Sequence, residues 1–191
     1  AKMIYQTLSL GVEVIDLASL YESLFQKVPL AELEEVWFLE NIVKNHKIYE
    51  LLSGPLEFLL AFFLTILLLP LVLLIAALIK ITSPGSTFFT QRRIGKNNKE
   101  FTMWKFRTMR ADAEKDGPKW ANYHKDERVT KIGKILRWSH LDELPQLYNI
   151  LRGELSFVGP RPEQPEFVEK LRQDLPYYDL RHLTKPGITG W

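Results

Sequence analysis

Between Phe58 and Ile79 the chain runs for 22 residues without a charged side chain, and most of them are Leu, Ile, Phe or Val. As a helix this stretch reaches ~33 Å at ~1.5 Å per residue. That matches the ~30 Å hydrocarbon core of a bilayer. The helix of a soluble core is the competing reading, but core helices of this length normally keep a polar face. A cleaved signal peptide does not fit, because the run starts far from the first residue and no small-residue cleavage site follows it. Pro70 falls in the middle. It lacks the amide that would bond the Ile66 carbonyl, so the helix either kinks and spans, or breaks into a re-entrant hairpin of two half-helices. The residues alone favour the kinked span. Lys80, Arg92, Arg93 and Lys96 follow closely, which assigns the carboxyl side of the run to the cytoplasm.

The pattern on either side is that of shorter elements. Val12 to Leu17 reads as a strand and Ser19 to Lys27 as a helix, too little to close a core. Ser53-Gly54-Pro55 reads as a helix break and a junction. Residues 1–52 are therefore expected to be the tail of a preceding domain, and 53–191 a second domain that holds a membrane helix over 56–79. Phe101 to Met109 alternates as a strand, with Lys105 and Arg107 on one face. Two cations so placed suit a diphosphate, or an edge strand blunted by charge. Asp126 through Gly133 suggests a loop and a helix start. Leu144, Leu147, Tyr148 and Leu151 fall at i, i+3, i+4 and i+7 and predict an amphipathic helix ending at Gly153. Leu155 to Val158 predicts a strand, and Phe167, Val168, Leu171 and Leu175 a further helix. The fold class expected is α+β, mainly helical, with a small β element.

Composition sharpens this at two points. No cysteine is present among the 191 residues, which excludes disulfides and thiolate metal sites. The net charge of +2 conceals a strong asymmetry: residues 1–57 carry −5, residues 80–140 carry +9 and residues 141–191 carry −2. A basic stretch right after the apolar run suits anionic head groups or a phosphorylated substrate, or is a solvated face.

The candidate chemistry lies at Asp142-Glu143, at the start of the amphipathic helix. The helix dipole and the free amides there favour ionised carboxylates. An ionised Asp can attack phosphorus, as in aspartyl-phosphate chemistry, although capping is the commoner role of Asp at such a place. Downstream, Gly159-Pro160-Arg161-Pro162 holds Arg161 between two prolines, a stiff mount for an anion-binding guanidinium.

Together these segments resemble the bacterial sugar transferase family, the monotopic phosphoglycosyl transferases. The likeness rests on Gln91-Arg92-Arg93-Ile94-Gly95, on Phe101 with Lys105-Phe106-Arg107-Thr108-Met109, and on Asp126 through Gly133. It continues through Leu141-Asp142-Glu143-Leu144-Pro145-Gln146-Leu147, Gly153 through Pro162, and Lys185-Pro186-Gly187-Ile188-Thr189-Gly190-Trp191. The sequence departs from the family at Ser53-Gly54-Pro55-Leu56-Glu57, where members often carry a basic pair and an aromatic-Asp, and at His140, where Ser is common.

The resemblance implies a transfer of sugar 1-phosphate from a UDP-sugar to polyprenyl (undecaprenyl) phosphate through an aspartyl-phosphosugar, at the start of exopolysaccharide, capsule or O-antigen synthesis. It implies Asp142 as nucleophile, Glu143 as its partner and Mg²⁺ ligand, and Lys105, Arg107, Arg128 and Arg161 as phosphate binders. It makes the Pro70 break a re-entrant hairpin, in place of the span favoured by the residues alone, and lays later amphipathic helices on the membrane surface. The location implied is the bacterial inner membrane with the catalytic face in the cytoplasm. Membrane lipids are expected as partners, nucleic acid is not, and a homodimer is left open. Members usually continue past Trp191, so a carboxyl-terminal truncation is expected, as is a longer parent chain ahead of residue 1. Two other classes fit part of the pattern: a non-catalytic membrane-anchored protein that binds lipid or a partner, and a metal-dependent phosphohydrolase.

Overall fold

The computed structural model describes residues 17–26, 35–110, 113, 126 and 128–190. Contacts divide the chain into two units, Ala1–Leu52 and Ser53–Trp191. Helix α1 (Leu17–Phe25) belongs to the first. The strand expected over 12–17 lies outside the described residues, apart from Leu17, which opens α1.

Helix α2 (Glu35–Thr82) contains both Pro55 and Pro70. The break expected at Ser53-Gly54-Pro55 therefore does not occur. One proline removes one hydrogen bond at a cost of ~3 kcal/mol, and the strong helix formers on both sides outweigh it. At Pro70, likewise, one helix continues where two separate half-helices were expected. Among the described residues its Ser53–Thr82 part is the one helix long and apolar enough to cross a membrane.

The remainder of the second unit packs along one stripe of α2. After a bend at residues 83–85 come β1 (Phe88–Ile94) and β2 (Glu100–Phe106), an antiparallel pair in which Phe88 faces Phe106 and Ile94 faces Glu100. Helix α3 (Lys131–Trp138) follows, then a single 3₁₀ turn (Leu141–Glu143) and α4 (Gln146–Leu151). Strands β3 (Ser156–Val158) and β4 (Gly187–Thr189) pair in parallel, with α5 (Pro165–Asp174) and a 3₁₀ segment (Tyr178–Leu183) between them. The mixed, mainly helical class expected from the sequence is what forms.

Two apolar clusters join this body to α2. Ala61, Leu64 and Leu68 pack with Phe101, Met103, Leu147, Ile150 and Leu155. One helical repeat further on, Leu71, Val72, Ile75, Ala76 and Ile79 pack with Phe106, Ile132, Leu136, Leu141 and Leu144. Polar contacts close both ends: Ser156 Oγ donates to the Glu57 carboxylate, and Arg107 Nη2 donates to the Ser83 carbonyl at 2.7 Å. The opposite face of α2 exposes Phe58, Leu59, Phe62, Phe63, Ile66, Leu67, Leu69, Leu73, Leu74, Leu78 and Ile81. Half-exposed side chains of this size each forgo ~1 kcal/mol of burial. The whole face forgoes on the order of 10 kcal/mol, comparable with the total stability of a domain. Lipid contact removes that deficit.

Candidate active site

Asp142 and Glu143 owe their position to a sharp reversal after α3. Thr130 caps α3, its hydroxyl accepting from Gly133 N–H at 2.9 Å. Past Trp138, His140 takes a left-handed conformation with φ 56°. The next three residues form the 3₁₀ turn, in which Glu143 N–H donates to the His140 carbonyl at 3.1 Å and Leu144 N–H to that of Leu141 at 3.3 Å. Leu141 and Leu144 enter the apolar cluster at Ile75 and Ile79, and the two acids between them line a cleft of about 910 Å³. The helix forecast for this segment is thus a 3₁₀ turn followed by a short α-helix. Its buried face is Gln146, Leu147, Asn149 and Ile150, while Tyr148, expected in the stripe, is 50% exposed.

Lys105 Nζ lies 2.6 Å from Glu143 Oε1, and each side chain is 17% exposed. Burial pushes the Asp142 carboxyl above the usual Asp range, and the charge of Lys105 pulls it back down. The helix terminus, expected to keep Asp142 ionised, does not by itself offset that burial. An ionised Asp142 in this place depends on nearby cations.

Seven Arg and Lys side chains line the cleft, against two carboxylates. All four cations singled out from the sequence are among them, in different settings. Lys105 pairs with Glu143. Arg107, just past β2, is buried and donates to the end of α2. Arg128 grips Asp126 through two bonds of 2.8 and 2.6 Å, which hold that carboxyl down to about 2. Arg161 is exposed on a fixed backbone: the Pro160 carbonyl accepts from Gly187 N–H (3.1 Å), that of Arg161 from Arg181 (2.7 Å) and that of Pro162 from Arg93 (3.0 Å).

Arg93, Arg110 and Arg137 are the other cations that line the cleft and carried no site role in the sequence reading. Arg93 donates to the Gln91 side chain at 2.7 Å and to Pro162, and its Nε is buried without a partner among the described residues. Strand parity was the available signal. Gln91 and Arg93 share a face, whereas Arg92 pairs with Glu100 outside. Arg137 lies one helical turn after Gly133, on the face that meets Thr108, whose hydroxyl accepts from Arg137 Nε at 2.9 Å.

No cluster of three or more His, Cys, Asp or Glu side chains suited to a metal exists among the described residues. Mg²⁺ does not need one, since one or two carboxylates plus substrate phosphates and water complete its shell. Asp142 and Glu143 provide adjacent hard oxygen donors, and Lys105 occupies only Oε1 of Glu143. The donor set fits the ion.

A family model described as bacterial sugar transferase matches residues 48–191. The UDP-N-acetylgalactosamine-undecaprenyl-phosphate N-acetylgalactosaminephosphotransferase of Aeromonas hydrophila is 43% identical over 144 residues, 75% of this chain and 34% of the relative. The UDP-glucose:undecaprenyl-phosphate glucose-1-phosphate transferase of Escherichia coli is 43% identical over 141 residues, 74% of this chain and 30% of the relative. The protein of that same name in Caulobacter vibrioides is 43% identical over 142 residues, 74% of this chain and 52% of the relative. The chain spans about a third of the length of the first two relatives.

Proposed function

Because the chain belongs to the bacterial sugar transferase family, we propose that it moves a sugar 1-phosphate from a UDP-sugar to polyprenyl phosphate, with Asp142 as the covalent nucleophile. The observation that carries this reading is Asp142 beside the Lys105–Glu143 pair, in a cleft where cations outnumber acids. A carboxylate partly stripped of water is a strong nucleophile once ionised, and the surrounding cations favour its ionised form.

In the first step an Asp142 carboxylate oxygen bonds to the β-phosphorus, the bond from that phosphorus to the bridging oxygen breaks, and UMP leaves. In the second, a phosphate oxygen of the lipid bonds to the same phosphorus and Asp142 is released, giving polyprenyl diphosphosugar. Lys105, Arg107 and Arg161 bind the phosphoryl oxygens and offset charge that shifts during transfer. Arg128 acts at the same edge while holding Asp126. Mg²⁺, held by Glu143 with Asp142 adjacent, would neutralise diphosphate charge. This product is the first lipid-linked sugar of an exopolysaccharide, capsule or O-antigen, made on the inner membrane.

Topology follows the same reading. Glu57 and Ser83, at the two ends of the apolar run, both bond to the body that carries the cleft. A re-entrant course, in and out through the cytoplasmic face with α2 unbroken but kinked at Pro70, keeps both ends with that body, whereas a perpendicular span separates them. Single cysteines at positions 47 and 96 are expected to resist an impermeant thiol reagent until the membrane is opened. Labelling of position 47 in intact spheroplasts would establish a span instead.

The direct assay mixes the detergent-extracted protein with Mg²⁺, polyprenyl phosphate and, in turn, UDP-glucose, UDP-galactose and UDP-N-acetylgalactosamine. The expected result is UMP release matched by a lipid-linked product. Free sugar phosphate formed without lipid would indicate a phosphohydrolase, and no UMP from any donor would favour a non-catalytic anchor. Arg161→Ala is expected to lower turnover by ~10²-fold with a melting temperature near that of the wild type, since the three bonds that fix its backbone remain. Equal losses of fold and rate would remove Arg161 from the phosphate site.

A further inference from the structure

Among the described residues, strand β2 has one strand beside it, β1. Arg107 N–H donates to the Thr87 carbonyl at 2.9 Å, and antiparallel pairing alternates, so residues 101, 103 and 105 turn their amides and carbonyls toward β1 while 102 and 104 turn theirs outward. That outer edge packs against α4 and is partly buried, where unpaired backbone groups are costly. One side chain serves one group on each of these two residues. Asn149 Oδ1 accepts from Trp104 N–H at 3.1 Å, and its Nδ2 donates to the Thr102 carbonyl at 2.7 Å. Asn149 is fully buried, and Nδ2 also donates to Glu154 at 2.7 Å. The amide takes the place of a third strand, one residue long.

The consequence reaches the dyad. Asn149 stands on α4, which continues directly from the turn that carries Asp142 and Glu143. Trp104 precedes Lys105. The Asn149–Trp104 bond therefore ties the element bearing the acids to the strand bearing the cation, next to the 2.6 Å contact between Lys105 and Glu143. We propose that Asn149 is a positioning residue for sugar-phosphate transfer: its amide bonds to the outer edge of β2 and sets Lys105 against Glu143. This inference rests on the function proposed above, because the pair it sets is the one assigned to phosphate binding. Asn149 is fully buried and does not line the cleft, and its effect passes through Lys105.

The test uses Asn149→Asp, which keeps the size and the acceptor but loses the donor to Thr102 and meets Glu154 as a like charge. Two measurements are made on the whole chain in detergent. The first is acylation of Lys105 by an amine reagent, read by mass spectrometry. Lys105 is expected to label ~5-fold faster in the variant as its pairing loosens. The second is a double-variant cycle on turnover. Asn149→Asp is expected to lower kcat by ~30-fold with less than ~3-fold change in KM, and to cost under ~3-fold in a Lys105→Ala background, since residues acting through one another are not additive.

Unchanged labelling of Lys105, or the same loss of kcat in both backgrounds, overturns the proposal. If the wild type releases no UMP from any UDP-sugar, the function reading fails, and the labelling still decides whether Asn149 places Lys105. Should Asn149→Asp lose its melting transition, Asn149→Asp with Glu154→Gln relieves the charge contact while the Thr102 bond stays broken. The same two measurements then apply to it, with the same outcomes for and against.

Discussion

Asp142→Asn is expected to abolish UMP release, by at least ~10⁴-fold, while the protein still folds and is extracted from membranes in normal yield. The substitution changes almost nothing in shape. The 3₁₀ turn is held by backbone bonds from Glu143 to His140 and from Leu144 to Leu141, and by Leu141 and Leu144 in the apolar cluster. The Asp142 side chain contributes to none of these. Burial disfavours its charge, so the amide relieves a desolvation cost and melting should be unchanged or slightly improved. What disappears is the oxygen nucleophile. Without it neither half-reaction runs, and exchange of labelled UMP into UDP-sugar, which needs only the first, must stop as well. Exchange at wild-type rates in Asp142→Asn would remove Asp142 from the reaction. The companion Glu143→Gln keeps the first nucleophile but leaves Lys105 without its carboxylate partner. It should retain exchange at ~1% of the wild-type rate and respond less to added Mg²⁺.

The contrast between these two neighbours bears on what the sequence disclosed. The spacing of Leu144, Leu147, Tyr148 and Leu151 identified a helical segment with two acids at its start, and the prolines around Arg161 identified a stiff anion mount. Both depend on short-range pattern, and both lie in the cleft. Long-range pairing was not legible in the same way. Lys105 and Glu143 are 38 residues apart, and nothing in either segment specifies the other. Arg107 lines the cleft, as its strand parity suggested, but its bond to the carbonyl of Ser83, 24 residues earlier, had no signal in the sequence. Periodicity alone also cannot separate a buried polar residue from a solvent-facing one. Asn149 has the composition of a surface residue and is fully buried because its amide fits a strand edge. The helix through Ser53-Gly54-Pro55 shows a different gap: local breakers are weak signals when a 48-residue helix surrounds them. The apolar run itself was unmistakable by length. Its division into a packed stripe and an exposed face depended on the partners supplied by β2, α3 and α4.

Gly133→Ala is expected to destabilise the second unit strongly, against the usual helix ranking. Alanine is a better helix former than glycine by ~1 kcal/mol, and Gly133 sits inside α3 without a positive φ. On propensity alone the variant should gain stability. The surroundings reverse the sign. A Cβ at Gly133 would lie 2.0 Å from the Thr108 carbonyl oxygen and 2.7 Å from its carbon. Both are backbone atoms, so no side chain can swing aside. The Thr108 carbonyl is also fixed, accepting from Thr130 N–H at 3.0 Å at the cap of the same helix. Relief requires α3 to move away from residues 107–108 as a unit. That opens the Ile132 and Leu136 contacts with α2 and breaks the 2.9 Å bond from Arg137 to Thr108. Overpacking against backbone costs ~3 kcal/mol, which outweighs the propensity gain and lowers the melting temperature by about 10 °C for a unit of this size. Turnover should fall with it, because His140 and the acid-bearing turn follow directly from the end of α3. Lys134→Ala, exposed on the same helix, is the control and should melt within about 2 °C of the wild type. A Gly133→Ala protein that melts at or above the wild-type temperature would show that α3 does not press on Thr108, and the placement of Arg137 and of the turn beyond it would have to be sought in other contacts.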